Sequence, residues 1–284
     1  MTPMTPVEKY ITLLVCLLNT IISVLTLKEY AKTRKHLPFV NMLTGHIAMT
    51  LIFSVVCFIC VLLEFLDAYQ FINMNYTDNF TNYIIQYLPL SSLYVSGALL
   101  AVDRTVIMLM PMNYGAYNIS RKLVIFSFSM FLLNSTIIAM ALFVTPINVF
   151  RLLNCLLNIY NCLFLCELLF YLVFMILSYK YSKRNKGNKA IKHQVVQTNH
   201  ITLFHMISLI TLGCFSKVLL YLDLYALKDE PIGLFLHFWQ MDLFILDRST
   251  FSIHVLLVAI YTLLKLKRRT NTIMVKSTLS SRNT

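Results

Sequence analysis

Long apolar stretches dominate the chain, and polar or turn-forming residues separate them. A helix needs about 20 apolar residues to cross a hydrocarbon core of roughly 30 Å, and seven stretches approach or exceed that length. The runs are continuous rather than alternating, which favours helices over an outer-membrane barrel. Several prolines fall in or beside the connections, where a missing backbone N–H does least harm. The predicted spans cover residues 10–27, 39–63, 83–102, 123–144, 155–179, 201–222 and 234–264.

The composition agrees with this pattern. Hydrophobic residues make up 58% of the 284 residues and charged residues only 13%, about half the charged share of soluble domains. The mean hydropathy is +0.71. A chain of this size cannot bury so much apolar surface in a soluble core, which excludes a soluble enzyme and a disordered protein. We therefore predict an all-α membrane protein whose residues 1–264 form a seven-transmembrane helix bundle.

The basic residues predict how the bundle is oriented. Most of the 24 lysines and arginines lie in the connections after the first, third and fifth spans and in the tail, residues 265–284. The same segments hold only two acids, Glu29 and Asp103. Because cytoplasmic loops collect Lys and Arg, the N-terminus is expected outside the cell and the basic tail inside. Topology and contact with the lipid bilayer explain the net charge of +12, so no nucleic-acid partner is expected.

Candidate glycosylation sites support the same orientation. Asn75 and Asn79 each begin an Asn-x-Thr triplet, and both fall in a connection predicted to be outside. We therefore expect a multi-pass glycoprotein of the plasma membrane. The seven cysteines show neither a zinc-site spacing nor a disulfide framework, so the sequence predicts no metal site and no cofactor.

The inner end of the third span carries a motif. It reads Asp103-Arg104-Thr105, with Pro111 eight residues and Tyr114 eleven residues after the aspartate. These residues and offsets resemble the Asp-Arg-Tyr region of rhodopsin-like G-protein-coupled receptors. Asn19 in the first span and Tyr261 before the basic run 265–269 resemble two further family positions.

The chain also departs from the family pattern. Leu257 and Val258 stand where the family has Asn-Pro, and the sixth span lacks the Cys-Trp-x-Pro sequence. The single tryptophan, Trp239, lies in the seventh span instead, and Thr50 lies near the family's sodium-binding aspartate. Divergence on this scale resembles the nematode serpentine chemoreceptors, and no subfamily is assigned.

The resemblance implies a function for the inner end of the third span. In the family, the arginine is held by the neighbouring aspartate at rest and turns toward a heterotrimeric G protein on activation. The implied G-protein coupling residues are Asp103, Arg104, Pro111 and Tyr114. Many family members also lock this arginine to an acid at the foot of the sixth span. Because no Asp or Glu occurs between Glu167 and Asp223 in this sequence, we expect Asp103 alone to hold it. The alternative is that Arg104 is a positive-inside anchor that happens to follow an acid.

Ionisable residues within the spans are the candidates for ligand contact. Such groups cost about 2.5–3.5 kcal/mol each on insertion scales, which makes them functional candidates by default. They predict an extracellular small-molecule or peptide ligand in the outer half of the bundle. The alternative is that they form ion pairs joining the sixth and seventh spans. The candidates are Glu167, Lys217, Asp242, Asp247, Arg248 and His254.

Other functions find less support in the sequence. The chain has no Gly-x-Ser-x-Gly, His-Glu-x-x-His or Gly-rich phosphate loop, so no enzyme activity is predicted. A seven-helix transporter or channel subunit is the main alternative, although the last three spans lack the Gly- and Pro-broken helices typical of transporters. A metal-dependent membrane hydrolase is a third possibility.

Overall fold

The computed structural model describes residues 6–33, 41–71, 76–110, 114, 117–144, 146–184, 200–214, 218 and 252–267. Seven helices and no strand occur within these residues, which confirms the all-α prediction for this part of the chain. The helices are α1 (Pro6–Thr33), α2 (Asn41–Ala68), α3 (Tyr76–Leu109), α4 (Ile119–Val144), α5 (Pro146–Arg184), α6 (His200–Cys214) and α7 (residues 252–267).

Four of these helices are long and apolar enough to cross a membrane. They are α1, α2, α3 and α5, and each overlaps a span predicted from the sequence. Helix α4 covers the fourth predicted span. Helices α6 and α7 cover parts of the last two, and residues 215–217 and 219–251 lie outside the described part of the chain. The apolar helices indicate a membrane protein.

Several helices begin earlier than the hydropathy pattern predicts, two of them by seven residues or more. Helix α3 starts at Tyr76, seven residues before the predicted span, and helix α5 starts at Pro146, nine residues before it. Proline suits the first position of a helix, because its missing N–H would have no partner there and its φ is already helical. Hydropathy detects only the apolar part of a helix. Helix α5 also includes the polar residues Arg151 and Asn154, which precede its apolar part.

Helix α3 is the centre of the bundle. It packs against α2, α4 and α5, while α1 packs against α2. Within the membrane-length segments, 72% of Leu90–Leu109 is buried but only 22% of Asn158–Tyr181. The outer face of α1 likewise exposes a stripe of large apolar side chains, including Leu14, Leu18 and Leu25. A bundle surrounded by lipid exposes apolar side chains on its outer helices and buries its central helix, and this structure has both features.

The described helices share two hydrophobic clusters. The larger joins residues of α1, α2, α3, α5, α6 and α7, with Phe53, Phe164 and Tyr171 among its largest side chains. The smaller lies where α2, α6 and α7 approach one another near Leu43, Ile201 and Leu266. Both α6 and α7 therefore pack into the bundle.

Helix α6 widens in its last turn. Residues Leu209–Cys214 form a π-helical segment, a form that is rare and often found at functional sites. A Cβ on Gly213 would lie 3.2 Å from the Phe164 ring, so the segment passes close to α5. The π-helical segment begins four residues after His205 and directly after Ser208, two buried polar residues that are part of the candidate site.

Candidate functional site

The first group of candidate residues lies in the last two turns of α3. Asp103 and Arg104 are 0% and 2% exposed, and Nε of Arg104 lies 3.8 Å from Oδ2 of Asp103. The prediction placed Arg104 at the inner boundary, where a long cationic side chain would ordinarily reach water. Here it is enclosed by the bundle, so a partner outside the protein can contact it only after the helices move.

Tyr114 joins this group from the segment that follows α3. Its backbone N–H donates to the Met110 carbonyl at 3.0 Å. Its hydroxyl donates a short hydrogen bond to Oδ1 of Asp103. The offset of eleven residues between the two, noted in the sequence, therefore corresponds to a direct contact.

Ser120 connects two more helices to the same carboxylate. Its side chain interacts with Asp103, and its Oγ accepts a hydrogen bond from the Met42 backbone N–H at 2.8 Å. Asp103 thus receives contacts from Arg104, Tyr114 and Ser120, so it does not act with the arginine alone.

The phenol of Tyr114 is a stable hydrogen-bond donor. Burial, and then the neighbouring Asp103 carboxylate, raise the pKa of Tyr114 above its ordinary value. The phenol therefore keeps its proton at any physiological pH and can donate it to the carboxylate. We refer to Asp103, Arg104, Tyr114 and Ser120 below as the Asp103 cluster.

Thr105 fastens this end of α3 to α5. Its hydroxyl lies 2.9 Å from the Ala101 carbonyl of its own helix and 3.1 Å from the Phe170 carbonyl. The second contact joins α3 to α5, at the residue before Tyr171. The end of α3 that carries the Asp103 cluster is therefore hydrogen-bonded directly to the backbone of α5.

The second group of candidate residues is a set of buried polar side chains in the middle of the bundle. Glu167 of α5 places Oε1 3.2 Å from Nε2 of His205 of α6. His46 of α2 and His254 of α7 each use Nδ1 to contact a serine hydroxyl, of Ser96 at 2.9 Å and of Ser208 at 2.8 Å. All six residues are buried. We call Glu167, His46, His205 and His254, with Ser96 and Ser208, the His–Glu cluster.

The three imidazoles of the His–Glu cluster lie side by side. The His205 ring centroid is 5.2 Å from that of His46 and 4.9 Å from that of His254, and the rings meet edge to face. They line a cavity of about 10 Å³, together with apolar residues of α2 and α7. A cavity of this size has room for about one water molecule. A larger ligand does not fit beside these rings in this conformation.

Gly97 makes room for the carboxyl group. A Cβ added at this position would lie 2.7 Å from both carboxylate oxygens of Glu167. Glu167 therefore packs directly on the backbone of α3, and any other residue at position 97 would push it away.

The two clusters are close along α3. Gly97 precedes Arg104 by seven residues, which is about 10 Å of helix. Tyr171 lies between them on α5: its ring is 5.6 Å from that of His205, and its hydroxyl interacts electrostatically with both Glu167 and Arg104. Tyr171 thus links the His–Glu cluster in the middle of the bundle to the Asp103 cluster at the inner end of α3.

The structure brings some predicted site residues together and leaves others undescribed. Asp103, Arg104 and Tyr114 form one group, and Glu167 and His254 belong to another. Asn79 falls in the first turn of α3, and its side chain is not described. The remaining predicted residues, Pro111, Lys217, Asp242, Asp247, Arg248 and Asn75, lie outside the described residues.

The sequence candidates included Glu167 and His254 but not the other four members of the His–Glu cluster. Two of these four are histidines, His46 and His205. The rule that selected Glu167 and His254 would also have selected these histidines, because both lie within predicted spans.

Metal ligation and known relatives give no further guide to the site. Within the described residues, no three His, Cys, Asp or Glu side chains are arranged so as to hold a metal ion. Comparison with protein-family profiles finds no match, and comparison with curated proteins finds no significantly similar sequence.

Proposed function

We propose that this chain is a divergent seven-helix receptor of the plasma membrane that couples an extracellular ligand to a heterotrimeric G protein. In this proposal the N-terminus lies outside and the basic tail inside, as the distribution of Lys and Arg favours. The single observation that carries the proposal is the Asp103 cluster. It supports a role for the motif beyond that of a surface anchor, because Arg104 is buried beside an acid.

The geometry of the Asp103 cluster supports a closed conformation of such a receptor. Arg104 is held inside the bundle by Asp103, and Tyr114 and Ser120 hold the carboxylate in place. A ligand that binds better to an open packing would shift the equilibrium toward it by its differential affinity. Opening would release Arg104 toward the inner face, where a cation on a long stem can contact a docked partner.

The test is guanine-nucleotide exchange in membranes that carry the protein. We expect Asp103→Asn and Tyr114→Phe to raise basal exchange, because each removes a contact that holds the closed packing. Fractionated biological extracts should raise exchange in the wild type, and Arg104→Ala should abolish that response at matched surface expression. Arg121→Ala is the control, because Arg121 is an exposed cation beside Ser120 in the first turn of α4.

Two outcomes would contradict the proposal. Basal exchange that is unchanged in both Asp103→Asn and Tyr114→Phe would show that the cluster does not restrain a G-protein-coupled state. Fractions that drive solute or ion flux equally in wild type and Arg104→Ala would favour the alternative function.

The alternative, a transporter or channel subunit, is favoured by a different observation. Carboxyl and imidazole chains inside membrane bundles are typical of proton relays, and the His–Glu cluster is such a chain. The π-helical turn of α6 is also the kind of local irregularity found where a helix serves a transport path. Flux measured in proteoliposomes without any G protein tests this function directly.

A further inference from the structure

We propose that the Glu167–His205 pair is a proton-binding site, which holds one proton in the closed packing and releases it when α6 moves away from α3 and α5. The inference concerns the His–Glu cluster and does not depend on coupling to a G protein. It assigns a ligand, the proton, to residues for which the sequence predicted an extracellular ligand.

The first argument is the space available. The cavity beside His46, His205 and His254 holds about one water molecule. Within the described residues the side chains are not arranged for a metal ion. A proton is a ligand that needs no room of its own, and one water suffices to deliver it.

The second argument is the charge of the pair. With one proton between them, the pair is neutral overall, as an acid beside an imidazole or as a carboxylate beside an imidazolium. Without that proton, a lone carboxylate would remain against the α3 backbone at Gly97, in an apolar interior where an uncompensated charge is very unfavourable. The closed packing therefore requires the proton.

The third argument is what faces the pair from each neighbouring helix. Helix α2 contributes His46, α7 contributes His254, and α5 contributes Tyr171 beside Glu167 itself. The serine hydroxyls of Ser96 on α3 and Ser208 on α6 contact the two outer histidines. Arg104 of α3 acts on this region through its electrostatic interaction with Tyr171. It is also paired with Asp103, so it does not replace the proton at Glu167.

Release of the proton is coupled to helix movement. His205 is the contribution of α6 to the pair, so moving α6 outward separates the imidazole from the carboxyl. Water that enters the gap can then solvate an ionised Glu167. The closed packing binds one more proton than the open packing, and raising the pH must favour the open packing by up to about tenfold per pH unit.

The decisive measurement is infrared difference spectroscopy on the purified full chain in lipid nanodiscs, stepped between about pH 6 and pH 9. An ordinary glutamate near 4.3 is fully ionised over this range and gives no signal. We expect a carboxylic acid C=O band that disappears as the pH rises. The band should be absent from Glu167→Gln and present in Glu64→Gln, a matched control on α2 far from the cluster.

A stability measurement gives a second, independent readout. We expect the melting temperature of the wild type to fall as the pH rises from about 7.5 to 9, because the histidines of the unfolded chain are already neutral there and only the proton of the pair is lost on unfolding. Glu167→Gln should flatten this dependence, because an amide of the same shape stays neutral at every pH. His200→Gln, on the exposed face of α6, should keep the dependence of the wild type.

The outcomes separate this inference from the proposed function. A band that survives Glu167→Gln, or a pH dependence identical in wild type and Glu167→Gln, overturns proton binding at this pair, whatever the G-protein assay shows. If Glu167→Gln does not fold, nitrogen NMR of labelled histidine in the wild type decides. As the pH rises, Nε2 of His205 must lose its hydrogen bond with Glu167, which changes the nitrogen chemical shift of this histidine. A chemical shift that does not change overturns the proposal. Loss of G-protein coupling alone leaves both readouts unaffected.

Discussion

Replacing Gly97 by alanine tests whether the carboxyl group of Glu167 lies against the backbone of α3. The added Cβ would meet both carboxylate oxygens at 2.7 Å, while ordinary contact begins at 3.4 Å. The carboxyl group must therefore move by about 0.7 Å. A displacement of that size can lengthen the 3.2 Å contact with His205 beyond hydrogen-bonding distance.

The expected cost follows from two opposing effects. Overpacking a filled interior costs about 1–3 kcal/mol. Removing a glycine from a helix interior returns roughly 0.5–1 kcal/mol. The net loss is therefore about 0–2.5 kcal/mol, centred near 1 kcal/mol, and 1 kcal/mol corresponds to a fall in melting temperature of roughly 2–4 °C in a chain of this size. Thermal unfolding of the purified protein in nanodiscs measures it.

A double-mutant cycle identifies the cause of this loss. In a Glu167→Ala background there is no carboxyl group to displace, so Gly97→Ala should cost nothing or slightly stabilise the protein. Gly45→Ala is the control, because its Cβ would meet only Val124 methyl groups, at 3.0 and 3.3 Å. The effect of Gly45→Ala should be the same in both backgrounds.

One result would refute the reasoning. If Gly97→Ala lowered the melting temperature equally with and without the Glu167 carboxyl group, the clash would lie elsewhere, and the packing of Glu167 on α3 would be wrong. Should Glu167→Ala prove too unstable, Glu167→Asp, which draws the carboxyl group back by one methylene, serves the same comparison.

Two further predictions concern the buried Tyr114 hydroxyl and the contact between α1 and α2. Because the folded protein keeps the Tyr114 phenolic proton that the unfolded chain loses above about pH 10, the free energy of unfolding should decline as the pH rises past 10. Tyr114→Phe should make that decline shallower, and an equal decline in both proteins would contradict the buried contact. Between α1 and α2, Nδ2 of Asn19 donates to Oγ of Ser54 at 2.5 Å, so Asn19→Ala should cost about 1 kcal/mol in thermal unfolding. Thr20→Val should cost little, because the Thr20 hydroxyl bonds only within its own helix, to the Cys16 carbonyl; equal losses would argue against an interhelical role for Asn19.

The helices themselves could be predicted from the sequence because crossing a lipid bilayer imposes a simple requirement on a segment of the chain. A segment that crosses hydrocarbon must satisfy its backbone within the segment, so a run of about 20 apolar residues is sufficient evidence for a helix. The ends of the helices are not subject to that demand. Helix α5 starts at Pro146 and continues to Arg184, through residues that hydropathy assigns to connections.

The members of the Asp103 cluster could be selected in part because they are close in the chain. Asp103 and Arg104 are adjacent and Tyr114 follows the aspartate by eleven residues, so local offsets singled out these three residues, although not the contact between Tyr114 and Asp103. Ser120 was missed because a serine at the start of a helix usually caps its own backbone. Here it also accepts a bond from the Met42 backbone, and no local pattern shows that contact.

The His–Glu cluster could not be predicted, because it depends on which helix faces which. Periodicity places His46 and His205 within their spans, yet it does not say that both rings approach the same carboxyl group. The missing information lies partly in a residue with no side chain: Gly97 leaves the space that Glu167 fills from another helix. A glycine in one span and an ionisable group in another, each unremarkable alone, become informative only as a pair. Comparing the depths of such residues across spans, rather than within one, is therefore the step by which a sequence alone can reveal a buried polar site of this kind.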